Sequence, residues 1–282
     1  MKSFRKIKAI DLIDSISNKC IEANISIRKD VVLSLKKSYK KEKNIKAKEV
    51  LEMILENISL AKKEKMPVCQ DTGMMTVFVE IGENVYIKGN ISQAINQGVK
   101  KGYIKGYLRK SVVNDPLIRI NTGDNTPAVI HIEQVLGDKI KITLLPKGFG
   151  AENMSKIALL NPSQETQGIK DFVIQTVKDA GASPCPPIIL GIGIGGTMEY
   201  AAFLSKKALL RPLNSSNPLK HIKKLEEELY NEINELNIGP QGIGGDTTCL
   251  GVNIEVFPTH IAGLPVAVNF SCYALRQEEI IF

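Results

Sequence analysis

Residues 66–76, Met-Pro-Val-Cys-Gln-Asp-Thr-Gly-Met-Met-Thr, combine three chemically active side chains with the signals of a loop that leads into a strand. Proline and glycine bound the active positions, and the apolar run that follows, 74–81, is typical of a strand. A strand that begins directly after the loop would hold the loop's side chains on a rigid support. The thiol, the amide and the carboxylate belong to Cys69, Gln70 and Asp71.

Two further cysteines lie among proline, glycine and apolar residues, Cys185 in Ser-Pro-Cys-Pro-Pro and Cys272 in Asn-Phe-Ser-Cys-Tyr-Ala-Leu-Arg. Prolines stiffen a loop and remove backbone donors, which suits a thiolate held in one geometry. A buried structural cysteine is the alternative interpretation of each position taken alone. The residues themselves leave Cys249, in a similar glycine-rich stretch, as a contender, whereas Cys20 lies in a polar helical stretch and is interpreted as incidental.

The composition indicates an ordinary globular protein. The chain has 282 residues, of which 43% are hydrophobic and 24% charged, enough for one large domain or two smaller ones. No apolar run approaches the roughly 18–20 residues that span a bilayer, and no secretory signal follows the basic N-terminus. We therefore expect a cytoplasmic protein, whose five cysteines are thiols or metal ligands rather than disulfides.

The net charge of +7 is concentrated in the first 66 residues. A basic patch can bind nucleic acid, but aromatic residues are only 5%, tryptophan is absent and no nucleic-acid motif occurs. A solvated helical face is the favoured explanation, and an acidic partner subunit is another. We predict no nucleic-acid partner and no membrane association.

Hydrophobic periodicity predicts a mixed α/β (α+β) fold. Residues 1–65 are predicted as a helical N-terminal segment, and residues 66–282 as a mixed-sheet body with the site loops at one edge. Gly137-Asp138 is a hairpin signal between two predicted strands. The predicted strands are 76–81, 85–88, 128–134, 139–145, 188–190, 252–257 and 266–270, and the predicted helices are 91–102, 162–180, 197–210 and 222–236.

A glycine-rich stretch offers a rival function. Gly191-Ile-Gly-Ile-Gly-Gly matches the G-x-G-x-x-G dinucleotide fingerprint between a predicted strand and a predicted helix. The fingerprint expects an acidic residue about 20 positions further on. No aspartate or glutamate occurs between Glu199 and Glu226, so a nucleotide-binding oxidoreductase is a distant alternative.

Three more positions are candidates for binding or proton transfer. Arg109 lies three residues after Gly106, in a loop flanked by glycine, and is a candidate for a bidentate carboxylate clamp. The loop 146–150 carries glycines whose backbone N–H groups could approach an anion, or it is a plain connection between a strand and a helix. His260 lies in a predicted loop, where a single histidine is more often a surface residue than a catalyst, and no pairing of ligands supports zinc.

Taken in order, many motifs resemble class I, iron–sulfur fumarate hydratase and the related L-tartrate dehydratase alpha subunits. The match runs from about residue 50 to the C-terminus, and an ordered set is far more specific than any one motif. The motifs are Val-Cys-Gln-Asp-Thr-Gly (68–73), Leu-Arg-Lys-Ser (108–111), Asn-Thr-Gly-Asp-Asn-Thr-Pro-Ala (121–128), Lys-Gly-Phe-Gly-Ala-Glu-Asn (147–153), Cys-Pro-Pro (185–187), Gly-Ile-Gly-Gly-Thr-Met-Glu (193–199), Ala-Leu-Leu-Arg-Pro-Leu (208–213), Gly-Pro-Gln-Gly-Ile-Gly-Gly (239–245), Pro-Thr-His-Ile-Ala-Gly-Leu-Pro-Val-Ala-Val-Asn (258–269) and Ser-Cys-Tyr-Ala-Leu-Arg (271–276).

The resemblance implies a [4Fe–4S] cluster with three cysteine ligands, Cys69, Cys185 and Cys272. The family motif does not require a cysteine at Cys249, which is therefore excluded on the resemblance. A three-cysteine site leaves one iron without a protein ligand, and such an iron is a Lewis acid.

The resemblance also implies the reaction, the reversible hydration of fumarate to (S)-malate. By the family pattern, Arg109 and the backbone of Gly150 would hold a substrate carboxylate, with Gln70 close by. Asp71 and His260 would act in proton transfer at the hydroxyl group.

The chain stops at Phe282, before the second domain of single-chain relatives. We therefore expect the alpha subunit of a two-subunit enzyme, completed by a beta subunit in an α2β2 assembly. The nearest alternative is an L-tartrate dehydratase alpha subunit, and a non-catalytic iron–sulfur carrier is a third.

Overall fold

The computed structural model describes residues 4–282. The chain forms two compact units, each built from segments that are separate in the sequence. The first unit contains the residues up to 27, residues 58–149 and residues 276–282, and the second contains residues 28–57 and 150–275. The predicted division of the chain at residue 65 stays a prediction, and its first three residues lie outside the described part of the chain.

The prediction of an α+β fold is confirmed. In chain order the strands are β1 (Arg5–Lys8), β2 (Met74–Gly82), β3 (Val85–Lys88), β4 (Val129–Val135), β5 (Ile140–Lys147), β6 (Lys156–Leu160), β7 (Ile188–Gly195), β8 (Cys249–Phe257), β9 (Leu264–Ser271) and β10 (Glu278–Ile281). The helices are α1 (Ile13–Ile25), α2 (Lys29–Lys41), α3 (Ile45–Glu64), α4 (Ile91–Lys105), α5 (Phe149–Glu152), α6 (Glu165–Ala180), α7 (Met198–Ala208) and α8 (Lys220–Glu235).

The main sheet of the first unit has the strand order β10-β5-β2-β4, with β2 antiparallel to β5 and parallel to β4. The predicted hairpin between β4 and β5 is therefore wrong, because β2 lies between them. Strand β2 is buried over most of its length, and a central position lets it pair on both edges. The turn at Gly137 instead packs on Gly82, where an added Cβ would lie 2.6 Å from the Gly137 carbonyl oxygen.

The core of the first unit forms where α1 and α4 pack with this sheet. Apolar side chains of both helices and of β2 and β5 make one continuous cluster, and burial of each large one contributes about 1.5–3 kcal/mol. Within the cluster the helices approach closely at Gly98, where an added Cβ would lie 2.6 Å from Ile16. This packing supports the end of the sheet at which β2 begins and β5 ends.

The sheet of the second unit has the order β6-β9-β7-β8, with β7 at its centre and buried at all eight positions. The alternate side chains Ile188, Leu190, Ile192 and Ile194 of β7 share a core with α6 and α8. The opposite face of β7 packs on α7, where an added Cβ at Gly193 would lie 2.0 Å from the Ala201 carbonyl oxygen. Three of the four glycines of the stretch 191–196, Gly191, Gly193 and Gly195, therefore lie within a strand, where Gly191 and Gly193 allow close helix–sheet packing.

Several elements differ from the prediction. Strands β1, β6 and β10 are short and were not predicted, and the helix expected near residue 151 is the single turn α5. Strand β7 extends five residues beyond the predicted 188–190. No helix in residues 4–282 is long and apolar enough to cross a membrane.

Candidate functional site

The loop that carries Cys69, Gln70 and Asp71 lies at the start of β2, beside the end of β5. Met74, the first residue of β2, is paired with Lys147, the last residue of β5. Between the loop and the strand, Gly73 has φ +76°, and an added Cβ would lie 2.7 Å from the Lys147 backbone. Only glycine combines that conformation with so close an approach.

Three buried polar side chains hold this loop. The hydroxyl of Tyr103 donates to the carbonyl oxygen of Thr72 at 2.7 Å, and the amide of Asn125 donates to that of Gly73 at 3.0 Å. The Thr72 hydroxyl in turn donates to the Arg109 carbonyl oxygen at 2.8 Å. Burial raises the pKa of Tyr103, so its phenol remains a neutral donor. The loop is thus held by α4, through Tyr103, and by the segment before β4, through Asn125.

Sequence reasoning missed Tyr103 and Asn125 as site residues. Tyr103 lies on the buried face of α4, where a tyrosine is hard to distinguish from ordinary core. The signal that could have found Asn125 is its position in a polar turn before a proline, since buried asparagines often satisfy loop backbones. Its side-chain oxygen accepts hydrogen bonds from Ser111 N at 2.7 Å and Val112 N at 3.2 Å.

The Asp71 carboxylate is held in one orientation by the backbone. Its Oδ1 accepts from Gly73 N at 3.0 Å, and its Oδ2 accepts from Phe149 N at 2.8 Å. Asp71 nevertheless stays partly exposed, as does Cys69, whose thiol lies 3.7 Å from the exposed Gln70 amide oxygen. A partly exposed carboxylate in a fixed orientation can exchange a proton with a bound molecule.

Arg109 is brought to this loop by its backbone, while its side chain is exposed. The segment that follows Arg109 is held by Asn125, whose side-chain oxygen accepts hydrogen bonds from the backbone N–H groups of Ser111 and Val112. The first unit therefore collects Cys69, Gln70, Asp71 and Arg109 in one neighbourhood.

In the second unit, Cys185 and Cys272 lie at the same end of the sheet. Cys185 lies three residues before the start of β7, in a turn where its N–H donates to the Ala182 carbonyl oxygen at 3.0 Å. Cys272 directly follows Ser271, which is paired with Ile189 at the start of β7. Both cysteines therefore lie beyond the same end of neighbouring strands.

Gly150 lies next to the Cys185 turn. A Cβ added to Gly150 would be 3.7 Å from the Ser183 carbonyl oxygen, and the glycine itself is exposed at the start of α5. Gly150 thus contributes an accessible backbone beside the cysteine-bearing end of this unit.

His260 lies at the opposite end of the same sheet. Strand β8 ends at Phe257, paired with Gly195 at the end of β7, and the Thr259 hydroxyl donates to the Gly196 carbonyl oxygen at 2.9 Å. Ser271 is paired with Ile189 at the other end of β7, and the six residue steps from Ile189 to Gly195 span about 20 Å at 3.3 Å per residue. The side chain is exposed, and its Nδ1 accepts from Ala262 N at 3.1 Å.

The five cysteines fall into two classes by accessibility. Cys20 and Cys249 are fully buried, and burial raises the pKa of each thiol to about 12. A thiol with that pKa is protonated at neutral pH, whereas cluster ligands are thiolates. Cys69 and Cys272 are partly exposed and Cys185 is exposed, all in loops next to strand ends. The donor chemistry of these three cysteines fits an iron–sulfur cluster.

Within residues 4–282, no three histidine, cysteine or acidic side chains are gathered as a metal-binding group. The second unit also carries an open groove of about 660 Å³ between α2, α8 and β8. Lysine and glutamate side chains are among the residues that line it, and none of the predicted site residues does.

A comparison with protein families decides the classification. The model of the family described as Fumarate hydratase (Fumerase) matches residues 13–281, nearly the whole chain. The chain belongs to this family. It is a hydro-lyase chain of the alpha-subunit type found in two-subunit fumarate hydratases and tartrate dehydratases.

Curated relatives of this fumarate hydratase family chain carry a tartrate dehydratase name. A putative L(+)-tartrate dehydratase subunit alpha of Methanocaldococcus jannaschii is 44% identical over 263 residues, covering 91% of this chain and 92% of the relative. The L(+)-tartrate dehydratase subunit alpha of Escherichia coli O157:H7 is 31% identical over 286 residues, covering 100% and 94%. That of Escherichia coli K12 is 30% identical over the same coverage.

Proposed function

We propose that this chain is the alpha subunit of an iron–sulfur fumarate hydratase, which adds water reversibly to fumarate to form (S)-malate. The observation that carries the proposal is the loop of Cys69 and Asp71. It joins an accessible thiol to an oriented carboxylate and is held by three buried hydrogen-bonding side chains. Together with the family match over residues 13–281, this arrangement is suited to hydro-lyase chemistry.

In this proposal Asp71 moves a proton at the substrate hydroxyl. Its two hydrogen bonds from Gly73 N and Phe149 N engage one lone pair on each carboxylate oxygen. Each oxygen retains further acceptor capacity, so the carboxylate can accept or return a proton without rotating.

Arg109, Gly150 and Gln70 bind and orient the substrate. An exposed guanidinium presents several donors in a planar fork that matches a carboxylate. The exposed backbone of Gly150 lets a second group approach without meeting a side chain. The exposed Gln70 amide supplies one further donor.

Cys69, Cys185 and Cys272 are proposed as the ligands of a [4Fe–4S] cluster. Their accessibility supports this choice over Cys20 and Cys249. When bound, such a cluster supplies an iron without a protein ligand, which acts as a Lewis acid toward the hydroxyl and carboxylate of the substrate. The reducing cytoplasm expected from the sequence suits this set of thiolates.

His260 is proposed to take part in proton transfer from a second copy of the chain. About 20 Å of strand β7 separates its loop from the end of the sheet that carries Cys185 and Cys272. An α2β2 assembly contains two alpha chains, and a twofold axis can bring the His260 end of one to the cysteine end of the other. The beta subunit implied by the relatives' names would complete the site.

L-tartrate dehydration is the second candidate, and the printed names of the relatives favour it. Both reactions remove water from a 2-hydroxydicarboxylate, so one set of groups can serve either substrate. Our choice of fumarate follows the family description and the sequence motifs around Arg109 and Gly150.

The test is anaerobic co-purification of the chain with a beta subunit, followed by iron analysis and assays on both substrates. We expect about four irons per alpha chain and a higher kcat/KM for fumarate and malate than for L-tartrate. Greater activity on tartrate would transfer the assignment to the second candidate. Absence of iron after reconstitution, with no activity on either acid, would refute the proposal.

Two series of variants test the residues. Serine at Cys69, Cys185 or Cys272 should abolish iron binding, whereas serine at Cys20 or Cys249 should not. Loss of iron at Cys249 with retention at Cys272 would overturn the ligand assignment.

Mixing inactive alpha chains tests the second-copy role of His260. Equal amounts of Cys69→Ser and His260→Ala chains, assembled together, should recover about a quarter of the wild-type activity, because half of the pairs are mixed and each holds one complete site. Mixtures as inactive as their components would contradict that role.

A further inference from the structure

Arg276 is a buried arginine in the first unit, and the proposed reaction gives it no role. Only 3% of its surface is exposed. Its Nη1 donates to the side-chain oxygen of Asn24 at 2.9 Å, while its Nε is buried and has no hydrogen-bond partner among the described residues. Burying a guanidinium is costly unless opposite charge or hydrogen bonds compensate it. A position that keeps such a group therefore requires an explanation.

The Asp71 carboxylate faces this guanidinium across Gly148. A Cβ built on Gly148 would lie 3.2 Å from Asp71 Oδ2 and 3.4 Å from Arg276 Nη2. The two groups therefore share the space that a side chain at this position would fill. Because both groups approach that one position, they lie at most about 6.6 Å apart. The guanidinium is buried and the carboxylate is partly exposed, so opposite charges at this distance attract each other more strongly than in water.

Asn24 connects the same arginine to the start of the site loop. Its side-chain amide donates to the Cys20 carbonyl oxygen at 2.9 Å, which leaves its oxygen directed to Arg276. Its backbone oxygen accepts from Val68 N at 2.9 Å, directly before Cys69. Arg276 is thus coupled to both ends of the loop, through Asn24 at Val68 and through charge at Asp71.

We propose that Arg276 is a positioning residue for the Asp71 carboxylate. Its guanidinium, aligned by Asn24, attracts the carboxylate toward Gly148, and so keeps Oδ2 on the Phe149 N–H and the loop in one conformation. Arg276 touches neither substrate nor cofactor in this role. The inference rests on the proposed function in one respect, the part that Asp71 takes in proton transfer.

The test compares Arg276→Gln with Arg276→Lys in the full-length chain assembled with a beta subunit. Glutamine keeps a donor for Asn24 but removes the charge, whereas lysine keeps the charge. We expect glutamine to lower kcat by about 20-fold or more with KM changed less than about threefold, and lysine to restore most of kcat. The matched control is Arg119→Gln, at an exposed arginine of the same unit, which should leave both constants unchanged.

A second readout is independent of activity. Hydrogen exchange at Phe149 N and Gly73 N reports the two hydrogen bonds of the Asp71 carboxylate. Arg276→Gln should accelerate exchange at both by about tenfold or more, while amides in the centre of β5 keep their protection. Equal acceleration throughout the unit would indicate general destabilisation and overturn the positioning role.

A double-mutant cycle separates this inference from the proposed function. If Arg276 acts through Asp71, Arg276→Gln should cost no further kcat in an Asp71→Asn background. Additive losses would refute the positioning role and leave the proposed function intact. Full activity of Asp71→Asn itself would instead refute the proposed role of Asp71.

Gly148→Ala tests the same geometry with both charged groups present, should the arginine variants fold poorly. The added methyl would meet Asp71 Oδ2 at 3.2 Å, tighter than ordinary contact, and would lie 3.4 Å from Arg276 Nη2, so the carboxylate must shift by a few tenths of an ångström. We expect about a tenfold loss of kcat and faster exchange at Phe149 N. Wild-type values for both would refute the proposal.

Discussion

The reactivity of the five cysteines is the most direct test of the proposed ligand set. Cys20 and Cys249 have 0% exposure, and burial raises the pKa of each thiol to about 12. At pH 8 a thiol with that pKa is ionised in about one molecule in 10,000, whereas a thiol with the ordinary pKa of 9.0 is ionised in about one molecule in ten. Ionisation alone therefore slows alkylation of the buried pair by a factor on the order of 1,000, because the thiolate is the reacting form.

The assay is alkylation of the metal-free, full-length chain at pH 8 under anaerobic conditions, followed by peptide mapping. We expect Cys69, Cys185 and Cys272 to be labelled in the native protein, with the exposed Cys185 reacting fastest. The two buried thiols should react only after unfolding in guanidinium. A Cys249→Ser variant is the matched control, since it should keep the native labelling and lose one thiol after unfolding.

One result would refute the reasoning. If the alkylation rate of Cys249 in the native chain is less than about tenfold below that of Cys185, burial does not distinguish the proposed ligands from the other cysteines. Cys249 would then return as a ligand candidate.

Three further predictions concern stability. Between pH 8 and 10, the wild type should lose about 1.4 kcal/mol more stability than Cys249→Ala, measured by denaturant unfolding. The reason is that the Cys249 thiol ionises around its ordinary pKa of 9.0 in the unfolded chain, whereas in the folded chain it stays protonated up to about pH 12. The stability contributed by the protonated thiol is therefore fully present below pH 9 and is lost as the pH rises. Equal losses in both proteins would contradict the buried thiol. Tyr103→Phe removes a buried donor from a loop carbonyl and should cost about 1–2 kcal/mol by the same measurement, whereas Tyr86→Phe, at a tyrosine that is 55% exposed, should cost almost nothing. Gly193→Ala places a Cβ 2.0 Å from a carbonyl oxygen of α7 and should lower the melting temperature by roughly 6–12 °C. The control is Gly263→Ala, whose added Cβ would have its nearest atom at 3.8 Å. Equal melting temperatures of the two variants would refute the role of Gly193 in helix–sheet packing.

Local signals predicted the elements around the site well. The loop before β2 was predicted from its proline and glycine, and the strand from the apolar run that follows. The structure confirms both and adds the reason for Gly73, whose backbone conformation and contact with Lys147 exclude a side chain. The loop and the strand depend on neighbouring residues, so a sequence can reveal them, whereas the contact of Gly73 with Lys147 depends on strand pairing.

The glycine-rich stretch at 191–196 shows how a local pattern can mislead. The same spacing occurs in a phosphate-binding turn and in a strand that packs closely on a helix. In this chain, Gly193 and its neighbours lie in β7 against α7. The distinction depends on where the strand ends, and β7 continues to Gly195 instead of ending at the predicted residue 190.

The sequence by itself determined the chemical inventory of this protein: the cysteines, the Asp71 carboxylate, the arginine and histidine candidates, and the family to which their order points. Tertiary structure decided how these groups are used, because burial, register and strand order depend on contacts between distant segments. It buried Cys249 at the start of β8, in the core that β8 shares with α6 and α8. It placed His260 at the far end of β7 from Cys185. It also set Arg276, more than two hundred residues away in the sequence, beside the loop that carries Asp71.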